Sequence, residues 1–228
     1  MRKQVQLREL IAELLGSMFL VMVAVSPVIL LVDVFNAPVG VAVLANAVAV
    51  AFVLTALLEI FGPISGAHLN PVVTMVMLFE KKVGALKAVL FMLFQFAGGI
   101  VGMVFTHLMF LGDVGSVLTI SDTVRNEHVF FGEIFGTFIL VLAILLLVKA
   151  GSNKISIMVG LLVGGQLLAT SSTMFANPQV TVARMLTSTA SGIRPIDGMI
   201  FIAMQIIGAL LAYAVYKLVF AKSGTEEK

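Results

Sequence analysis

The sequence predicts an all-α membrane protein: six transmembrane helices plus two half-membrane helices, arranged as an inverted internal repeat. Three observations carry that prediction. First, 60% of the 228 residues are hydrophobic and 11% are charged, whereas a soluble domain is typically about 25% charged and about half apolar at most. There is too little polar surface here to cover a water-soluble globule. Second, six apolar runs approach the roughly 20 residues a helix needs to cross a bilayer core. Third, two shorter apolar segments each open on Asn-Pro, at Asn70-Pro71 and Asn177-Pro178.

The first run, Leu10–Val32, follows the basic start "MRKQVQLREL". It is long and lacks a small-residue cleavage site, so it reads as a retained helix and not as a removed signal peptide. Ser26-Pro27 lies inside it and is expected to kink it. "DVFNAP" separates it from the second run, Val39–Ile60, which "FGPISG" closes. Next comes the first short segment, Asn70–Phe79, and then the third run, Val83–Leu111. The connection "GDVGSVLTISDTVRNEH" leads to the fourth run, Val129–Lys149, and "KAGSNK" to the fifth, Ile155–Ser172. The second short segment is Asn177–Thr187; "SGIRPIDG" then precedes the sixth run, Asp197–Phe220. Asn caps helices well, and Pro at the first helical position has no N–H to leave unpaired. Each Asn-Pro therefore marks the start of a short helix.

Lys and Arg set the orientation, because they collect on the cytoplasmic side. With six spans and the N-terminus inside, the inner segments hold Arg2, Lys3, Arg8, Lys81, Lys82, Lys87, Lys149, Lys154, Lys217, Lys222 and Lys228. The outer segments hold Arg125, Arg184 and Arg194, which completes the 14 basic residues. Both termini are expected in the cytoplasm, and the protein is expected to be a multi-pass cell-membrane protein in contact with the lipid bilayer.

The two halves repeat. "AELLGSMFL" from Ala12 matches "GEIFGTFIL" from Gly132, "NPVVT" matches "NPQVT", and "FQFAGG" from Phe94 matches "MQIIGA" from Met204. The first repeat covers about residues 1–112 and the second about 128–222, within a single domain 1–228. Three spans per copy is an odd number, so the second copy must be inverted across the membrane. Inverted repeats place a site near the midplane, built from discontinuous helices. The two short helices then enter from opposite sides, and their Asn-Pro starts meet near the middle.

Non-helical backbone survives at membrane depth only where protein buries it or where it lines water. Ser65–Leu69 and Ser172–Ala176 are such stretches, and their carbonyls are natural acceptors along a pore wall. The amides of Asn70 and Asn177 can donate to a passing oxygen. Two facing helix N-termini carry about half a positive charge each, which repels cations and interrupts a proton-relaying chain of waters. A neutral, hydrogen-bonding solute can pass between them.

Other function classes find little support. A formal charge of +2 gives no basis for nucleic-acid binding. With no Cys there is no disulfide, thiolate nucleophile or Cys-bound metal site. Scattered His68, His107 and His128 make no metal site, and the 13 Met read as flexible packing. No segment cradles a nucleotide and no catalytic set is visible, so neither an enzyme nor a cofactor is expected.

The repeated Asn-Pro motifs, "SGAHLNP", the paired E-x-x-G-[ST] and the paired Q-x-x-G resemble the aquaporin and glycerol-facilitator (major intrinsic protein) family over nearly the whole chain. The resemblance implies a pore centre at Asn70, Pro71, Val72, Asn177, Pro178 and Gln179. It also implies a pore wall at Ser65, Gly66, Ala67 and His68. The family motif usually reads Asn-Pro-Ala, so Val72 is a modest enlargement and Gln179 a departure expected to narrow or re-polarise the centre. The family's outer constriction usually carries Arg three residues after the second Asn; here that residue is Val180. Ungapped offsets put the other filter positions at Val50, Gly165 and Met174, a wide apolar ring, with Arg184 further out at the outer mouth. "NPQVTVARMLTSTASGIRP" also resembles bacterial aquaglyceroporins encoded with arsenic-resistance genes.

Glu13 and Glu133 sit at matching places inside the first and fourth spans. Intramembrane carboxylates can mark proton relays, or they can brace the loops before the short helices; the resemblance favours bracing. It also implies a homotetramer with one pore per chain. The function expected is a passive channel for small neutral solutes such as glycerol, water and metalloid acids. Two other readings stand beside it: a coupled transporter or anion channel using Glu13 or Glu133, and a structural junction protein whose pore Gln179 plugs.

Overall fold

The protein is described here by a computed structural model covering residues 5–221. Arg2, Lys3, Lys222 and Lys228 of the basic asymmetry lie outside the described residues. The long helices are α1 (Leu7–Val28), α2 (Val39–Ser65), α4 (Ala85–Met109), α6 (Phe130–Lys149), α7 (Ile155–Ala169) and α9 (Pro195–Val215). The short ones are α3 (Pro71–Phe79), α5 (Leu111–Val114) and α8 (Pro178–Arg184).

Local chemistry explains the boundaries that differ from expectation. Pro27 does not end the first helix: α1 continues into wider π-turns over Ile29–Val34. Pro63 sits near the end of α2, which runs on to Ser65 and stops only at Gly66, whose φ of 93° is the left-handed conformation that glycine adopts without penalty. α7 is shorter than its apolar run and ends at Ala169 after 15 residues, about 22 Å against a hydrocarbon core of about 30 Å. Among the described residues, five helices are long and apolar enough to span a membrane, and α7 is a shorter apolar one.

α1 packs on α4, α6 on α9, and α2 on both α1 and α7. Small residues let these backbones meet. Gly98 and Gly102 of α4 lie against the Leu14 and Met18 carbonyls of α1, and Gly208 of α9 lies against the Ile134 carbonyl of α6. A side chain at any of these glycines would overlap the partner's backbone. α3 and α8 meet each other and are held between α4 and α9.

Both short helices start as their sequences dictate. Asn70 and Asn177 are extended N-cap residues, and each side-chain oxygen accepts the backbone N–H two residues on, Val72 or Gln179. Pro71 and Pro178 take the first helical position. The second short helix stops at Arg184, three residues before the expected end at Thr187.

Candidate functional site

The backbone before each short helix is irregular in the same way. Gly66, Ala67 and Leu69 have positive φ, and so do Thr173, Met174 and Ala176, at the same offsets from Asn70 and Asn177. Non-glycine residues hold that conformation only when their surroundings impose it. Here a buried carboxylate imposes it on each side. Glu13 accepts the His68 and Leu69 N–H groups at 3.0 and 2.8 Å. Glu133 accepts the Phe175 and Ala176 N–H groups at 2.9 and 2.8 Å.

A trans peptide points its N–H and C=O in opposite directions. With those N–H groups tied to the carboxylates, the carbonyls of Ala67, His68, Met174 and Phe175 turn away from them. All four residues line one central cavity of about 290 Å³. Gln95 adds a bond from its amide to Glu13 at 2.7 Å and to Thr74 Oγ1 at 2.9 Å. Gln205 does the same for Glu133 at 2.6 Å and Thr181 at 2.9 Å. Both carboxylates are fully buried and neither lines the cavity.

The two Asn side chains cross at the centre. Asn70 Nδ2 donates to the Ala176 carbonyl at 2.8 Å, and Asn177 Nδ2 donates to the Leu69 carbonyl at 2.9 Å. Each amide nitrogen has two hydrogens, so one on each remains for a molecule in the cavity, which both Asn residues line. The cavity passes this centre on both sides. On one side its wall includes Lys82, Val148 and Ile155; on the other, Val180, Phe175 and Arg184.

His68 is part of the wall. Its Nδ1 lies 3.1 Å from Thr74 Oγ1, and its ring stands edge-on to Phe91 at 5.4 Å. The Thr74 hydroxyl donates to the Asn70 carbonyl, so His68 Nδ1 is the donor and Nε2 keeps the lone pair.

Not every expected position lies where the resemblance put it. Gly66, Ala67, Val50, Met174 and Val180 line the cavity, but Gly165 does not. It is exposed on the far side of α7. The α7 residues on the wall are Ile155, Val159, Val163 and Leu167, spaced four apart. Gly165 is two residues from Val163 and so about 200° around the helix. Pro71, Val72, Pro178 and Gln179 are buried behind the wall. Gln179 does not plug the centre, because its side chain packs against Gly99 of α4. Ser65 is not a wall residue either: its hydroxyl donates to Glu13 at 2.6 Å and accepts the Ala67 N–H at 3.0 Å.

Arg184 ends α8, about 10 Å along the axis from Asn177. It is 4% exposed and lines the cavity. Its guanidinium lies 4.1 Å from the Phe175 ring centroid and donates to the Ala24 carbonyl at 2.5 Å. Arg125, in the loop before α6, lies 5.7 Å from the centroid of the same ring. Burial lowers its pKa from the usual arginine value, opposed by the negative charge of Glu133 and Asp197. The sequence reading put the Phe175 backbone on the wall but missed its ring, because nothing local marks one aromatic in an apolar chain as packing on a buried Arg.

Two half-length helices meeting at capped N-termini, with irregular backbone lining a through-cavity, define a multi-pass membrane channel. The chain belongs to the major intrinsic protein (MIP) family, which residues 1–176 match. It is therefore a channel protein and not an enzyme. It is similar to aquaglyceroporin AqpS of Rhizobium meliloti (strain 1021), 35% identical over 211 residues that cover 92% of this chain and 89% of that protein. Aquaporin-4 of Rattus norvegicus is 29% identical over 73% of this chain and 53% of its own length, so the chain spans about half of that relative. The X-ray structure of the aquaglyceroporin from Plasmodium falciparum has the same fold, with a TM-score of 0.73 at 19% identity, covering 94% of this chain and 96% of that one.

Proposed function

We propose that this channel passes water, glycerol and small hydroxylated metalloid acids, and excludes ions and protons. The observation that carries the reading is the crossed pair of Asn amides between two helix N-termini. A solute oxygen at the centre meets two free N–H donors and the positive ends of α3 and α8. That environment suits a neutral hydroxyl and repels a cation or hydronium. The carbonyls of Ala67, His68, Met174 and Phe175 supply the complementary acceptors along the wall.

Selection by size falls to Val50, Met174 and Val180, which surround the path with apolar side chains, and Arg184 adds donors beyond them. Val180 is short and has no hydrogen-bonding group, which favours passage of solutes wider than water. Glu13 and Glu133 act as braces and not as coupling groups: each is held by three or four donors and shut off from the cavity.

The chain works as one domain of two inverted repeats, about 1–112 and 128–222. The matching bonds of Glu13 and Glu133 support that division. The protein assembles as a homotetramer in the cell membrane with both termini cytoplasmic. The basic asymmetry supports the orientation, and family membership supports the assembly.

The test is stopped-flow flux in liposomes for water, glycerol and arsenite side by side. A channel gives fast glycerol flux with low activation energy, no ion current and no dependence on a pH gradient. Saturable uptake that follows the gradient would overturn the reading, and so would flux no greater than that of empty liposomes.

A further inference from the structure

We propose that Gly99 and Gln179 form a matched pair across the seam between the repeats, which makes Gly99 a positioning residue that keeps the second motif's large third residue out of the conducting path. Gln179 is 1% exposed and absent from the cavity wall. Its Oε1 rests against Gly99, where any Cβ would overlap it. Its Nε2 reaches the Leu69 carbonyl at 3.4 Å. Turning the amide over would set carbonyl against carbonyl, so this orientation is the favoured one.

The other seam shows the complementary choice. "FQFAGG" aligns with "MQIIGA", so Ala209 takes the place of Gly99, and the third residue of the first motif is Val72. Val72 and Ala209 pack in one apolar cluster. The larger third residue thus faces a position with no side chain, and the smaller one shares its cluster with a methyl at the matching position. The capping bond from Gln179 N–H to Asn177 Oδ1, at 3.2 Å, holds the Gln179 backbone in place. A Cβ at residue 99 therefore moves the Gln179 side chain far more than its main chain, whose carbonyl lies 3.2 Å away. The neighbour it already reaches, Leu69, belongs to the cavity wall.

Gln179 also changes the centre. The Leu69 carbonyl accepts from both Asn177 and Gln179, which engages both its lone pairs. Among the described residues, the Ala176 carbonyl accepts a side-chain bond from Asn70 alone.

The inference rests on the channel reading, which wild-type flux above that of empty liposomes tests separately. Wild type, Gly99→Ala, Gln179→Ala and the double variant are reconstituted at equal amounts of folded protein, and water and glycerol flux are measured. Gly99→Ala is expected to lower both well below wild type, because the displaced Gln179 amide moves toward the wall at Leu69. Gln179→Ala, which loses only the bond to Leu69, conducts above empty liposomes and is the reference for the double variant. The double variant regains at least about half of that flux, because only the strain of residue 179's own carbonyl, 3.2 Å from the added methyl, remains. If Gly99→Ala fails to fold, a double variant that folds and conducts still supports the pairing. A double variant that also fails overturns it, since Gly99 then serves backbone packing alone. Wild-type flux from Gly99→Ala overturns it as well.

Discussion

Replacing Glu13 with Gln removes a charge and half of the acceptors that hold the first irregular segment. Oε1 accepts from the Ser65 hydroxyl at 2.6 Å and the His68 N–H at 3.0 Å. Oε2 accepts from the Leu69 N–H at 2.8 Å and the Gln95 amide at 2.7 Å. A Gln side chain keeps one oxygen and sets an NH2 group where the other stood. Whichever way the amide turns, one backbone N–H, of His68 or Leu69, faces a donor; the Ser65 hydroxyl and the Gln95 amide can turn to accept. One buried N–H left unpaired, with the weaker bonds that a neutral acceptor makes to the rest, costs about 2 kcal/mol. For a chain of this size that lowers the melting temperature by roughly 4–8 °C. The chain has no Trp and no Cys, so tryptophan fluorescence and thiol dyes are blind to it. Far-UV circular dichroism in detergent is the assay, followed by flux with and without a proton gradient. A variant that melts within about 2 °C of wild type refutes the bracing role. A variant that folds normally and abolishes a proton-dependent uptake would make Glu13 a coupling group.

Asn177→Asp keeps the cap on Gln179 N–H but turns a carboxylate oxygen toward the Leu69 carbonyl and removes the donor to solute. Neutral-solute flux should fall by about tenfold, with some cation leak; unchanged flux at equal expression would take Asn177 out of the path. Val180→Arg adds length, charge and donors one turn beyond Asn177, so the glycerol-to-water permeability ratio should drop by about tenfold. A ratio that stays level or rises would leave Arg184 as the outer selecting residue. Low doses of thiol-directed mercurials should not inhibit, since the chain has no Cys. Rapid block reversed by a thiol reductant would contradict this and point to a contaminating channel.

Local chemistry made much of this fold legible. Apolar length marks the long helices, although α7 stops at Ala169 short of its run. Asn followed by Pro starts α3 and α8 where capping chemistry says it should, because a cap depends on neighbours within three residues. The matching Glu, Gln and Asn-Pro segments pointed to two related halves. Which apolar residues surround the cavity was not legible. In water, a helix's period separates its buried stripe from its solvated one. In a bilayer the outer face is as apolar as the inner, so polarity does not separate Val163 on the cavity from Gly165 on the outside. The direction of Gln179 was equally hidden. Only the packing of α8 on α4 sets it beside Gly99. A polar side chain in a water-excluded interior goes where a notch and an acceptor meet, and that meeting place is made by residues far apart in the chain.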